Sequence, residues 1–450
     1  MPRTATPTAT TRSPPTSRRR HRRRRALTPE SGRARADDGP RHDAYAALRV
    51  PAYRRYTVAT LALTLATQIQ TVVVSWQVYA VTHDPLSLGL IGLAEALPFI
   101  SIALWAGHVA DRHDRRHLVV ASTVVLALCA AAFLALAVRP PGATAFVRAI
   151  YAVIFVSGIA RSFLQPARQA LASEIVPRDV LPNAVTWRSV TWQGAAVGGP
   201  ALGGLLYGFV GPPVAYAVAA VLIAVALAAF VSVRHTPTPR VRRDEPVLQS
   251  LLEGIHYLRT QPVLVGAMAL DLFSVLFGGA TALLPVFADR ILHVGPQGLG
   301  VLRAAPAVGA VIVAFTLAHR PPVRQPGVVL LVVVALFGLS MIGFGLSTSY
   351  SLSVALLAFS GAVDMVSVNI RALLLQLMVP DRLLGRVSSV NQIFIGSSNE
   401  IGEFESGVTA KLFGAAPSVV LGGVLTLLVV GVTAGLVAPL RRLREIEPVA

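Results

Sequence analysis

Cysteine, lysine and charge of either sign are all scarce in this chain, and each scarcity excludes something. The single cysteine, Cys129, sits in an apolar run. No intrachain disulfide can form, and no Cys/His cluster has metal-ligand spacing, so neither a metal nor a cofactor is expected. Cys129 itself reads as a small buried or lipid-facing residue. Charged residues make up 14% of the 450 positions against 54% hydrophobic, with a mean hydropathy of +0.63. A soluble domain of this size needs more charge to cover its surface. Lys411 is the only lysine, against 39 arginines. No GxxxxGK[ST] stretch is present, which argues against ATP drive. No nucleophile–base constellation appears either, so the chain does not read as an enzyme.

What is abundant is apolar runs close to twenty residues long, and they recur along the whole sequence. Only helices and closed barrels satisfy the backbone in lipid, and runs of this length are helical rather than alternating strands. Twelve spans are predicted, at about 55–81, 86–107, 117–138, 147–173, 184–209, 213–233, 262–288, 297–318, 327–347, 350–378, 385–409 and 416–438. The fold class is therefore an all-α membrane protein of twelve transmembrane helices.

Five segments follow. Residues 1–43 form a basic tail, 44–233 a first six-helix half, 234–261 a linker, 262–440 a second half, and 441–450 a short tail. Within 1–42 lie twelve arginines and three acids, so half of the net charge of +18 is there. Such a segment cannot bury a core and is expected to be disordered. It lacks the apolar middle of a signal peptide. Three readings stay open: an arm against anionic headgroups, a segment upstream of the true start, or a nucleic-acid arm. The last has no interleaved aromatics to support it, and no nucleic-acid partner is expected. In the linker, Val247, Leu248, Leu251, Leu252, Ile255 and Leu258 share a helical face, which predicts a helix on the membrane surface.

Loops on one side carry Arg112, Arg115, Arg116 and a series from Arg178 to Arg444; the other side carries Arg139, Arg148, Arg290 and Lys411. By the positive-inside rule both termini are expected in the cytoplasm, in an inner (plasma) membrane. The halves also repeat. Shifted by 203 residues, the fourth and fifth spans fall on the tenth and eleventh: Gly158 meets Gly361, Arg168 meets Arg371, Pro177 meets Pro380 and Gly204 meets Gly407. Two matched halves are the mark of a transporter that rocks around a central site.

The loop after the second span reads GHVADRHDRRHLVV from position 107. Gly107, Asp111, Arg112, Arg115 and Arg116 resemble the signature of the major facilitator superfamily, departing from it at Asp114, where that family often has Gly. The resemblance implies a latch that steadies the outward-facing state, often against helix eleven. The alternative is a simple positive-inside anchor. In the fifth span, Gly198, Gly199, Pro200, Gly203 and Gly204 resemble the glycine–proline motif of drug:proton antiporters. Small residues let helices touch and Pro200 bends one of them; the family motif implies export. Stretches at 271–292, 298–310 and 380–407 resemble the branch of transmembrane secretion effectors that includes enterobactin exporters. The resemblance runs from about Ala44 to the end and implies a major facilitator fold.

Ionisable groups at membrane depth are costly and point to function. Arg161 and Asp364 coincide under the 203-residue shift, which suggests a pair across the cavity. Asp271, Glu95 and Arg303 are further candidates, with a structural ion pair or interhelical hydrogen bond as the alternative for each, and Gln68, Gln70 and Gln77 are candidates for cavity lining or packing. The stretch SSNEIGEFESG, 397–407, adds Glu400, Glu403 and Glu405 to a helix whose counterpart is apolar. Glu400 and Glu403 lie about 21 and 25 Å along the helix from Arg386 and share a face; Glu405 points elsewhere. Two nearby carboxylates in a partly dry place resist double ionisation, so one could load and release a proton. A structural cluster binding Arg303 is the alternative.

The expected function is secondary active, proton-coupled export of a small amphipathic molecule, by one chain acting as a monomer in the bilayer. The rivals are a proton-coupled importer or facilitator of a nutrient, and a non-transporting sensor or scaffold.

Overall fold

Proline sets most of the helix starts. The computed structural model describes residues 43–234, 247–319 and 323–443. The expected basic tail, the middle of the linker and the last residues lie outside that range. Among the described residues twelve helices have 17 to 33 residues. They are α1 (Pro51–Thr82), α2 (Pro85–Arg112), α3 (Arg115–Val138), α4 (Ala143–Glu174), α5 (Leu181–Val210), α6 (Pro212–Ser232), α7 (Pro262–Gly278), α8 (Gly295–Ala318), α9 (Pro326–Leu346), α10 (Tyr350–Met378), α11 (Asp381–Phe413) and α12 (Ala415–Leu436). Seven of these carry proline at the first or second position, where the missing N–H costs nothing. Asp84 and Asp114 cap α2 and α3 by accepting from backbone N–H groups. Gly211 (φ +87°) and Gly414 (φ +93°) end α5 and α11, and they too match under the 203-residue shift.

Ten of the membrane spans are long and apolar enough to cross a bilayer on composition alone. The two exceptions, α5 and α11, have the length but not the hydropathy. Each packs against the other half, α5 on α8 and α11 on α2, while several of their polar residues, Arg188, Gln392 and Asn399 among them, are exposed.

The sequence repeat is reproduced in the packing. In the first half α1 packs with α5 and α6, α4 with α2 and α3, and α3 with α6. In the second half α7 packs with α11 and α12, α10 with α8 and α9, and α9 with α12. The matched glycines have matched jobs. Gly158 of α4 seats Pro98 of α2, and Gly361 of α10 seats Pro306 of α8. Gly204 of α5 abuts Gly300 of α8, and Gly407 of α11 abuts Gly89 of α2. Both prolines lie inside their own helices, and each is seated where a neighbour lacks a side chain.

An even number of spans puts Tyr45 and Leu443 on one side, the terminal side. On the far side a single apolar cluster contains residues of both halves, among them Val72, Trp76, Tyr79 and Leu88 with Phe287, Leu299, Leu302 and Ala410. The first half has its own cluster along α1, α4 and α6, and the second half has its own at the terminal side, around Leu264, Leu374, Val387 and Leu440. The halves are thus joined on the far side. Lys411 Nζ lies 2.9 Å from Asp84 Oδ2 across that joint. Arg290 donates to the His83 carbonyl at 3.1 Å and stands over the Tyr79 ring. Past Gly278 the seventh span breaks and continues as short 3-10, α and π turns to Ile291. Ser406 Oγ of α11 donates to the Gly279 carbonyl at the break (3.0 Å).

The linker helix Val247–Arg259 packs on the terminal ends of α10 and α11. Leu258 joins the second half's cluster, Tyr257 OH donates to the Met378 carbonyl (2.7 Å), and Arg386 pairs with Glu253. Ile255 packs inward while Leu252 is exposed. The side chains of Val247, Leu248 and Leu251 lie outside the described part.

Candidate functional site

Five ionisable residues from four helices meet where α2 crosses α11. Glu95 of α2 pairs with Arg161 of α4. Glu400 of α11 is an electrostatic neighbour of Arg161, of Arg303 on α8 and of Glu403. Glu403 faces Arg303. All five are partly buried. Two come from the first half and three from the second, so the cluster spans the joint. Its room comes from Gly92 of α2. A Cβ there would stand 2.7 Å from Glu403 Cβ and 3.2 Å from Glu403 Oε2. Glycine lets α2 and α11 close over the carboxylate.

Charge counting says what this cluster can do. Two arginines oppose three glutamates, an excess of one negative charge in a low-dielectric place. One proton brings it to neutrality, and moving the halves apart divides the charges between them.

The expected Arg161–Asp364 pair is not formed. Arg161 pairs with Glu95 of its own half, with its Nε left without a hydrogen-bond partner among the described residues, and Asp364 lies beside Arg371 and Asp271 in the other half. Asp271 of α7 is 7% exposed and pairs with Arg371 of α10. Composition and hydropathy gave no reason to select Arg371. The sequence marks Arg371 only as the repeat partner of Arg168; the signal that ties it to the site is its spacing, seven residues after Asp364 on one face of α10. Gly92 was missed for a different reason, because a glycine's partner is visible only in the packing. Glu405 lies on the opposite side of α11 from Glu403, as the spacing predicts. Among the glutamines, Gln68 packs on Gly199 and Gln77 accepts from Tyr216 OH (3.0 Å). Gln70 is buried, and its Nε2 has no hydrogen-bond partner among the described residues.

The α2–α3 loop is bound into the first half. Arg115 reaches Glu174 at the end of α4 (2.7 Å), and Arg116 donates to the Val231 carbonyl of α6. Asp114, where the sequence departs from the expected glycine, serves as the α3 cap and contacts His117 as well. Arg112 is exposed. The side chain of Asp111 lies outside the described part. Among the described residues nothing stands within 4 Å of where a Cβ on Gly107 would be. In α5, Gly199 and Gly203 pack on α1, Gly204 packs on α8, and Gly198 has only Leu65 nearby (3.7 Å). Pro200 is buried and its carbonyl faces Gly300.

Comparison with known proteins agrees with this architecture. A family model described as transmembrane secretion effector matches residues 42–449. Enterobactin exporters named EntS, from Escherichia coli O1:K1 and from Shigella boydii serotype 18, are 27% identical over 400 residues. That covers 88% of this chain and 94% of theirs. Among solved structures, an inward-facing, occupied bacterial homologue of the lysosomal transporter Spinster superposes with a TM-score of 0.67 at 15% identity. It covers 88% of this chain and 97% of its own. The nucleoside transporter NupG gives 0.64 at 12%, covering 85% and 99%. At such identity these two show the fold alone. The relatives and the fold are those of transporters, not enzymes.

Proposed function

Because the chain belongs to the transmembrane secretion effector family of major facilitator transporters, we propose that it exports a small amphipathic molecule in exchange for protons. The observation that carries the reading is the Glu95–Arg161–Glu400–Glu403–Arg303 cluster, shared by both halves and one negative charge in excess. With Glu400 or Glu403 protonated the cluster is neutral and the halves can rearrange. With the proton gone, the excess charge favours the state in which it is best solvated. Proton occupancy thereby biases which side opens. The terminal side is the cytoplasmic face of an inner membrane, by its arginine excess. Export is favoured by the α5 glycine–proline stretch and by exporters among the relatives. Siderophores, antibiotics and other drug-like amphipaths are the substrate class; apolar walls with a few glutamines and charges suit them. Asp364 and Asp271 are further coupling candidates, and one chain carries a complete path.

Everted inner-membrane vesicles test direction. Acidifying their lumen should drive accumulation of a siderophore or a lipophilic dye, and a protonophore should abolish it. Accumulation that needs the opposite gradient would instead make the protein an importer. Deleting residues 1–42 should leave transport unchanged; a scaffold acting through that segment would lose its function.

A further inference from the structure

Away from the α2–α11 joint, a second group of charges lies wholly inside the second half. Asp271 of α7 pairs with Arg371 of α10. Asp364, two turns earlier on the same face of α10, neighbours both. Two carboxylates share one guanidinium, so this group too holds one surplus negative charge. Between Asp364 and Arg371 on that face stands Ser367. It is 2% exposed, and its Oγ has no hydrogen-bond partner among the described residues. A serine hydroxyl in a helix commonly satisfies itself on the carbonyl one turn back, as Ser274 and Ser360 do here. Ser367 does not, although leaving a buried hydroxyl unpaired is costly. It is three residues from one carboxylate and four from the guanidinium, so it shares their face of α10.

We propose that Asp271, Asp364, Ser367 and Arg371 form a second proton-binding site, separate from the Glu400–Glu403 cluster. Arg371 keeps Asp271 ionised as its partner, and Asp364 is the carboxylate that takes the proton. The protonated carboxyl and the Ser367 hydroxyl then supply each other's missing hydrogen bond. Among the described residues, the charges that bear on Asp364 and Asp271 are Arg371 and, for Asp364, Asp271 itself; on α11, Arg386 pairs with Glu253 of the linker helix. No residue of α9 is ionisable. The one ionisable residue of α8, Arg303, faces Glu400 and Glu403, and those glutamates of α11 face Arg303 and Arg161. A metal cation is disfavoured because Arg371 already occupies the cationic place. This extends the coupling reading to two protons per cycle, but the site stands or falls without it.

Infrared difference spectroscopy of the full chain in lipid vesicles, stepped between acid and alkaline pH, reads carboxyl protonation directly and needs no substrate. We expect two carboxylic C=O bands. Glu400→Gln with Glu403→Gln removes one band and Asp364→Asn removes the other. Ser367→Ala, a milder change that preserves folding, shifts the Asp364 band by weakening its hydrogen bond. A spectrum that keeps both bands in Asp364→Asn overturns the proposal. So does a wild-type spectrum with only the band lost in the glutamine variants, or a second band that follows sodium chloride at constant pH. A wild-type spectrum that shows the Asp364 band but no band removed by Glu400→Gln/Glu403→Gln would contradict the coupling reading and leave this one intact, so the two failures are distinguishable.

Discussion

Arg371 holds two acids with one guanidinium, and that arithmetic predicts an order of severity. Arg371→Met leaves Asp271 buried with Asp364 beside it and no countercharge. Breaking a buried pair this way costs about 3 kcal/mol or more. Asp271→Asn leaves Asp364 to take over the guanidinium and should be much milder. Thermal unfolding of the purified variants in detergent reads the difference; equal losses would mean Asp364 cannot reach Arg371. Gly92 gives a second residue-scale prediction. Its Cβ position is 2.7 Å from Glu403 Cβ and 3.0 Å from the Glu400 carbonyl. Gly92→Val should therefore displace α11 and abolish proton coupling while the chain still inserts. Transport at wild-type rates in Gly92→Val would show that the crossing has room to spare. At this scale the sequence was only partly legible. Glu400, Glu403 and Arg303 stood out because charge in an apolar run is conspicuous. Their mutual arrangement did not stand out, because which helix faces which is a tertiary fact. Arg161 and Asp364 were matched correctly by the repeat and still found partners within their own halves.

The twelve helices were easier to read than their partners. Hydropathy places a span because lipid rewards nearly every apolar residue equally. The sequence places the spans of α5 and α11 too, at 184–209 and 385–409, but hydropathy is weakest there and says nothing of their crossings with α8 and α2. The repeat matches Gly204 with Gly407 without saying what either touches. These glycines stand at the two crossings between halves, against Gly300 and Gly89. A Cβ on Gly407 would lie 2.6 Å from Gly89 Cα, backbone against backbone, which a side-chain rotation cannot relieve. Gly407→Val should push the far side open while leaving packing within each half intact. The wild type has one cysteine, so a Cys129→Ser background allows a reporter at Ala410, which is buried at the far-side cluster. Maleimide labelling of Ala410→Cys should become at least several-fold faster with Gly407→Val added; unchanged labelling would place the closure elsewhere.

On the scale of the molecule, two halves joined on one side and separately packed on the other are one station of a rocking cycle. The Asp84–Lys411 pair closes the far-side joint at 2.9 Å. An exposed pair adds at most about 1 kcal/mol to stability, yet it bridges the two halves and so weighs directly on which side is closed. Asp84→Asn, which keeps the α2 cap, should lower transport, and so should Lys411→Gln, with the double variant no worse than either single; additive losses would make the pair incidental. The central claim concerns the cluster at the α2–α11 joint. The measurement that tests it most directly uses purified protein in liposomes with an internal pH dye and an imposed proton gradient. Siderophores and lipophilic drugs are added in turn to the wild type and to Glu400→Gln/Glu403→Gln. The account predicts substrate-dependent proton flux in the wild type and its loss in the variant. Undiminished proton flux with both glutamates neutralised would contradict it.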